Sequence, residues 1–244
     1  MRRKAKSPKP QASPLPGSDR IDQLLAAHEH EETTWRIFKI ISEFVKGFEF
    51  LRKYKRAASI YGSSRLHLKN HVYREAQQLA RALSKMGFTI ITGGGPGVME
   101  AANHGAYNNG GQSVGINIEG IFGDERRNKY VKEGESFQYF FTRKVMLSFA
   151  SQLYIFFPGG FGTLDELFEM ITLVQTKKIP PVPIILIDKH YWQPLISWID
   201  KTVYGENKAV EKNYRDYFYL VDSAEEAVKL IKKLMSQKKI PFWK

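Results

Sequence analysis

No cysteine occurs among the 244 residues, which excludes disulfide scaffolds, thiolate zinc sites, iron–sulfur clusters and cysteine nucleophiles. No apolar run approaches the roughly 18 residues that span a bilayer. The basic N-terminus, MRRKAKSPKPQASPLPGS, is followed by no apolar stretch, so it does not read as a secretory signal. The sequence predicts a soluble, cytoplasmic protein with no membrane contact. Two nucleotide fingerprints are missing as well. G-x-G-x-x-G fails from Gly93, Gly95 and Gly160, where Val98, Glu100 and Asp165 replace the third glycine, and no G-x-x-x-x-G-K-[ST] is present. The six histidines form no ligand-like cluster, and neither metal nor cofactor is expected.

What is present suits one sizeable globular domain. Hydrophobic residues make up 43% and charged residues 25%, enough of the former to bury a core. The net charge is +12, of which residues 1–20 hold +5. That tail is rich in proline, serine and lysine and reads as disordered. It is first a solubilising tail; contact with nucleic acid would be an addition to the main function.

From Glu31 to Tyr54, apolar residues recur at helical spacing: Trp35, Phe38, Ile41, Val45, Phe48 and Leu51. This aromatic stripe needs a cover, either the domain or another subunit. Strands and helices then alternate: strand 57–61, helix 72–86, strand 88–92, helix 98–108 and strand 113–118. Residues 119–137 are polar and read as an active-site loop, with a short strand at 139–141. Helix 143–150, strand 153–157, a helix to about Thr176, strand 182–187, helix 191–203, strand 217–221 and helix 223–235 complete the chain. Ser223 with Glu226 reads as a capping box. The alternation predicts an α/β fold, a mostly parallel sheet covered on both faces in three layers. Its parts are a tail at 1–20, a helix within 21–55 and a domain at 56–240.

In such sheets the ligand crevice lies beyond the C-terminal strand ends. Two glycine-rich loops sit there, Gly93–Gly97 and Pro158–Thr163, each between a strand and a helix. Each can aim backbone N–H groups and a helix dipole at an anion. One such loop alone would be a turn; two favour a phosphate or mononucleotide. Glu166, three residues beyond Thr163, sits among Asp165 and Glu169 on the first turns of a helix. A carboxylate there also complements the helix dipole. Arg143 and Lys144 precede by one helix and one strand and approach the same crevice.

GGGPGVMEAAN at 93–103 resembles the GGGxxGxMxxxA segment of the LONELY GUY (LOG) family, and PGGFGTLDE at 158–166 resembles its PGGxGTxxE signature. Arg143-Lys144 resembles the family's RK pair, with Arg143 standing 23 residues before Glu166. The resemblance covers about residues 56–235. It implies a doubly wound, Rossmann-like fold, a homodimer or larger assembly, and hydrolysis of the N-glycosidic bond of a nucleoside 5′-monophosphate, AMP or N6-modified AMP. Relatives often carry an older lysine decarboxylase label, but no lysine here stands in a recognisable pyridoxal-phosphate setting. The helix at 31–54, the tail, and Ile118–Asn128 depart from the family pattern.

By that resemblance Glu166 is the catalytic carboxylate, and Arg143 holds the substrate and orients it. Lys144 adds charge. Gly159, Gly160, Gly162 and Thr163 grip the phosphate. Gly94, Gly95 and Gly97 admit the ligand to the first loop, Glu100 reaches a ribose hydroxyl, and Gly62 and Ser63 line the crevice. The competing reading is a binding protein for a nucleotide or a pterin cofactor, without turnover. The acid aimed at an anionic ligand argues against it.

Overall fold

The computed structural model describes residues 33–66, 70–119 and 127–241. The expected tail at 1–20 and part of the loop after residue 119 lie outside them. The chain divides into two units, 1–39 and 40–244. Of the first, residues 33–39 are described, the opening turns of helix α1 (Thr33–Leu51).

The second unit is built on seven parallel strands: β1 (Ala57–Tyr61), β2 (Thr89–Thr92), β3 (Ser113–Ile118), β4 (Glu133–Phe137), β5 (Tyr154–Phe156), β6 (Ile184–Ile187) and β7 (Tyr219–Val221). Their order is β4-β3-β2-β1-β5-β6-β7. The chain therefore winds outward from β1 to one edge, returns to the centre and winds to the other. This is the doubly wound, Rossmann-like arrangement expected. Parallel strands need crossovers, supplied by α2 (His71–Lys85), α3 (Val98–Tyr107), α4 (Phe140–Ser148), α5 (Phe161–Gln175), α6 (Lys189–Trp198) and α7 (Ala224–Ser236). A π-helical segment, Ile199–Glu206, extends α6.

Two cores flank the sheet. On one face Ala76 and Leu83 of α2, Ala101 and Ala106 of α3, and Ala227 and Ile231 of α7 pack on Ile60, Ile90 and Ile155. On the other, Leu51 of α1, Met146 and Leu147 of α4, Leu167 and Met170 of α5, and Trp192 of α6 pack on Tyr61, Ile91 and Phe156. Strands buried on both faces read as short continuous apolar runs, which is why they were legible. Half of the expected capping box forms: the Ser223 hydroxyl accepts from the Glu226 amide at 3.3 Å, whereas the Glu226 carboxylate accepts from the Asp222 N–H at 2.9 Å.

Two expectations need correction. The 119–137 stretch is not all loop: residues 133–137 form β4, which among the described residues is an edge strand paired with β3. Its glutamates are paired by residues of α1 and of the turn that follows it. Lys53 and Lys46 pair with Glu133 and Glu135, and the Tyr54 hydroxyl donates to Glu133 at 3.0 Å. The strand placed at 139–141 is the start of α4, whose N-cap is Tyr139. The aromatic stripe of α1, whose expected cover is the domain or another subunit, stays partly open in the single chain. Leu51 is buried, but Ile41, Val45 and Phe48 are exposed, as are Trp35 and Phe38.

Helices α2 and α3 cross so closely that a Cβ on Gly105 would fall on the Gln77 carbonyl and lie 3.0 Å from the Arg81 amide nitrogen. Both are backbone atoms, which cannot turn aside. Gly105→Val should lower stability by about 1–3 kcal/mol, the usual cost of overpacking. The urea midpoint of the variant measures it, and an unchanged midpoint would mean that the two helices separate freely.

Candidate active site

The centre of the sheet, where β1 neighbours β5, is the switch point of the winding, and carboxyl strand ends diverge there. A cavity of about 950 Å³ opens at this place, at the upper end of the ~300–1,000 Å³ usual for small-molecule sites. Its walls come from the loop after β1 (Gly62 to Leu66), from Gly93 and Met99, from Phe140 and Arg143 of α4, and from Pro158 to Glu166 around the start of α5. Asp188 and Tyr191 close the far side.

The second glycine loop opens α5 with Gly160 as N-cap. The first N–H groups of a helix have no partner within it, so those at 161–163, in residues that line the cavity, are open to an anion. Gly159 is confined by Thr163, whose side chain occupies the space a Cβ would take. The Tyr191 hydroxyl donates to the Gly159 carbonyl at 2.5 Å, tying the loop to α6.

The first glycine loop is held from outside. The Asn128 side-chain amide donates to the carbonyls of Gly94 (3.0 Å) and Gly95 (2.9 Å) and to Asn103 Oδ1 (3.0 Å). Asn103 also accepts from Thr92 Oγ1 at 2.7 Å. Gly97 has φ +72°, and a Cβ there would strike the Ser63 carbonyl. The Val98 N–H bonds that same carbonyl at 3.0 Å, which joins the loops after β1 and β2.

Arg143 is 8% exposed. Its Nε donates to the Ile116 carbonyl at 2.8 Å and its Nη2 approaches the Gly93 carbonyl at 3.4 Å. Glu166 lies on the cavity wall, open to it but enclosed by protein behind. Burial raises its carboxyl pKa to about 7, against the lowering effect of Arg143; Asp165 and Glu169 push upward and Lys144 downward. Tyr61, also on the wall, is raised well above the ordinary phenol range by burial and then by Glu166. A carboxylate that titrates near neutrality beside a fixed guanidinium can exchange a proton with bound water or ligand.

Of the residues expected at the site, the structure gathers Gly62, Ser63, Arg143, Gly159, Gly160, Gly162, Thr163 and Glu166 around the cavity. Gly94, Gly95, Gly97, Glu100 and Lys144 are not on its wall. Gly94, Gly95 and Gly97 shape the first loop from behind. Glu100 turns toward Tyr73, whose phenol is raised by burial and then by the Glu100 charge. Lys144 pairs with Asp165 at 2.6 Å and Glu169 at 3.4 Å. Burial alone would lower its pKa, but those carboxylates raise it on balance.

Sequence reasoning missed Tyr61, Phe140, Phe161, Asp188 and Tyr191. Phe161, 92% exposed at the rim, carried a signal: a large apolar side chain inside a glycine loop. Asp188 has φ +85°, uncommon for a non-glycine residue, and its carboxylate caps α6 by accepting from the Tyr191 N–H at 3.1 Å. No sequence pattern announced it. Among the described residues no group of three or more His, Asp or Glu could hold a metal, and no helix is long and apolar enough to cross a membrane.

Residues 99–231 match the family model described as "Possible lysine decarboxylase". A cytokinin riboside 5′-monophosphate phosphoribohydrolase of Arabidopsis thaliana is 31% identical over 190 residues, covering 76% of this chain and 85% of the relative. A second from the same plant is 30% identical over 185 residues, covering 75% and 82%. Among solved structures, the molybdenum cofactor binding protein of Rippkaea orientalis superposes with a TM-score of 0.56 at 20% identity, over 75% of this chain and 99% of that one. The molybdenum cofactor carrier protein of Chlamydomonas reinhardtii gives 0.54 at 17%, over the same shares. At those identities they share the fold.

Glu166 has a consequence for stability. The folded state holds its proton up to about pH 7, whereas an exposed glutamate releases it near 4.5. Ionising Glu166 therefore costs stability progressively as pH rises from about 4.5 to about 7, and the cost is constant above that. Glu166→Gln removes it. The variant should melt higher than the wild type at pH 8 and equal to it near pH 4.5. A melting difference independent of pH would show that Glu166 is not held protonated.

Proposed function

The chain belongs to the LONELY GUY family, and from that premise we propose that it hydrolyses the N-glycosidic bond of a nucleoside 5′-monophosphate, with AMP or N6-modified AMP as substrate. The observation that carries this reading is the Glu166 carboxyl beside buried Arg143, on the wall of a cavity walled also by the second glycine loop. The printed activity of the Arabidopsis relatives supports it.

In this reading the phosphate lies against the start of α5, held by the N–H groups at 161–163 and by Thr163. Arg143 contacts the phosphate or ribose and holds Glu166. As the bond from C1′ to the base nitrogen breaks, its electron pair leaves with the base, and positive charge grows on the ribose ring. The Glu166 carboxylate stabilises that charge and takes a proton from the attacking water, whose oxygen bonds C1′. The departing base takes up one proton, so ribose 5-phosphate and free base result. An acid with a pKa near 7 can both accept and return that proton near neutral pH.

The wild type should release base from at least one nucleoside monophosphate, and its kcat/KM should rise with pH to a plateau above about 7, as Glu166 ionises. Glu166→Gln should lose roughly 10²–10⁴ in rate while still binding, because a negative side chain beside the phosphate has gone. Arg143→Ala should lose binding as well as turnover. Chromatographic detection of free base with calorimetric binding separates these. Wild-type turnover by E166Q would remove Glu166 from the chemistry. Binding without release of base by the wild type would support the binding-protein reading instead.

The same reading includes a second copy of the chain. Ile41, Val45 and Phe48 repeat along one face of α1 and stay exposed. Phe48 meets the exposed Phe149 ring edge to face, with centroids 6.2 Å apart, which carries the apolar surface to the end of α4. A homodimer or larger assembly would remove it from water. Light scattering should give at least twice the chain mass, and Val45→Glu should shift it toward one chain. A concentration-independent single-chain mass for the wild type would end this part of the proposal.

A further inference from the structure

Helix α4 carries Arg143, yet by its own sequence it starts badly. The side chain of its N-cap, Tyr139, makes no capping bond, and its first turn contains no acidic residue. Arg143 and Lys144 follow at once, and cations near a helix start oppose the dipole. A self-contained start would place Glu or Gln at the third helical position, reaching back to the N-cap amide. Here that position is Thr142.

The missing carboxylate arrives from another helix. Glu43 of α1 accepts from the backbone N–H of Gln138 at 2.6 Å and of Tyr139 at 3.4 Å, and it is in contact with the Thr142 hydroxyl. The Arg143 N–H in turn bonds the Tyr139 carbonyl at 3.2 Å. The orientation of the N-cap residue thus sets the first turn and the direction in which Arg143 leaves it. Glu43 lies outside residues 99–231, which match the family model, and it reaches α4 from the helix that precedes β1.

We propose that Glu43 is a positioning residue for the active site: by capping α4 from α1 it holds Arg143 in register with Gly93, the Ile116 carbonyl and Glu166. The proposal rests on the reading of that cavity as a nucleotide site. Residues 40–51 are also docked by features independent of Glu43. Lys46 pairs with Glu135, Leu51 is buried, and Gly47 is buried against Met146. A change at Glu43 can therefore act on the cap without detaching the helix.

The test compares Glu43→Ala, Glu43→Gln and Lys46→Met in the full chain. Lys46→Met removes an α1–β4 ion pair and leaves the cap intact. Three quantities are read: melting temperature, affinity for AMP by calorimetry, and the Glu166 titration midpoint by carbon NMR of labelled glutamate without ligand. Loss of the cap should weaken AMP binding about tenfold, in line with the usual effect of a lost helix cap. With Arg143 less firmly beside it, the Glu166 midpoint should rise by about half a unit or more, part of the roughly 1–3 units an adjacent Arg supplies. Glu43→Gln, which keeps an acceptor, should recover part of both effects. Lys46→Met should lower only the melting temperature. If Glu43→Ala behaves like Lys46→Met, with affinity and Glu166 midpoint unchanged, Glu43 is merely structural and the proposal falls. Neither binding nor titration needs turnover. A wild type that releases no base would therefore refute the hydrolytic reading, while the Glu43 effects on Arg143 and Glu166 would still support the positioning role.

Discussion

The site is organised around one buried guanidinium. Taking Arg143 out of water is costly unless its N–H groups find acceptors, and the acceptors nearby are backbone carbonyls at Ile116 and Gly93. Those two carbonyls belong to β3 and to the first glycine loop. Seating the arginine therefore joins the α4 layer to the sheet and to one wall of the crevice in a single set of bonds. Glu166 then faces a fixed positive charge. Burial pushes its pKa up and Arg143 pulls it down, which leaves a carboxyl balanced near neutrality.

The two glycine loops are held in different ways, and this divides their roles. The loop before α5 lies along the cavity wall, where Thr163 and Tyr191 hold Gly159 in place. The loop before α3 spends its carbonyls on Asn128, which sits in a buried polar network with Asn103 and Thr92. Buried polar groups this well paired specify one geometry. The first loop is thus mainly a support, and only Gly93 of its five residues meets the cavity. Helix α1 acts at the start of α4, the turn from which Arg143 leaves, where Glu43 supplies the carboxylate that turn lacks.

Much of the fold was legible because its signals are local. Central strands such as Ile184–Ile187 are buried on both faces and read as apolar runs. Ser223 and Glu226 mark a helix start by their own chemistry. Strand β4 gave no such signal, since GESF reads as polar loop until Lys46, Lys53 and Tyr54 are brought over its glutamates. The stripe Ile41, Val45 and Phe48 correctly announced a helix, but not which face would dock. The docked face uses Glu43, Gly47 and Leu51, and two of those three are not large apolar residues.

The sequence by itself determined the alternation of strands and helices and the two glycine loops, because each depends on residue types within a few positions of one another; Arg143 and Glu166 stand 23 residues apart, and only the family resemblance linked them. Only the tertiary structure decided which of those residues face the ligand. It turned Glu100 toward Tyr73 and Lys144 toward Asp165 and Glu169, and brought Tyr61, Asp188 and Tyr191 to the cavity. The physical reason is that facing is set by packing between elements far apart in the chain. A side chain's charge is written in the sequence, but its neighbours, and with them its pKa and its role, are fixed only when the sheet closes around it.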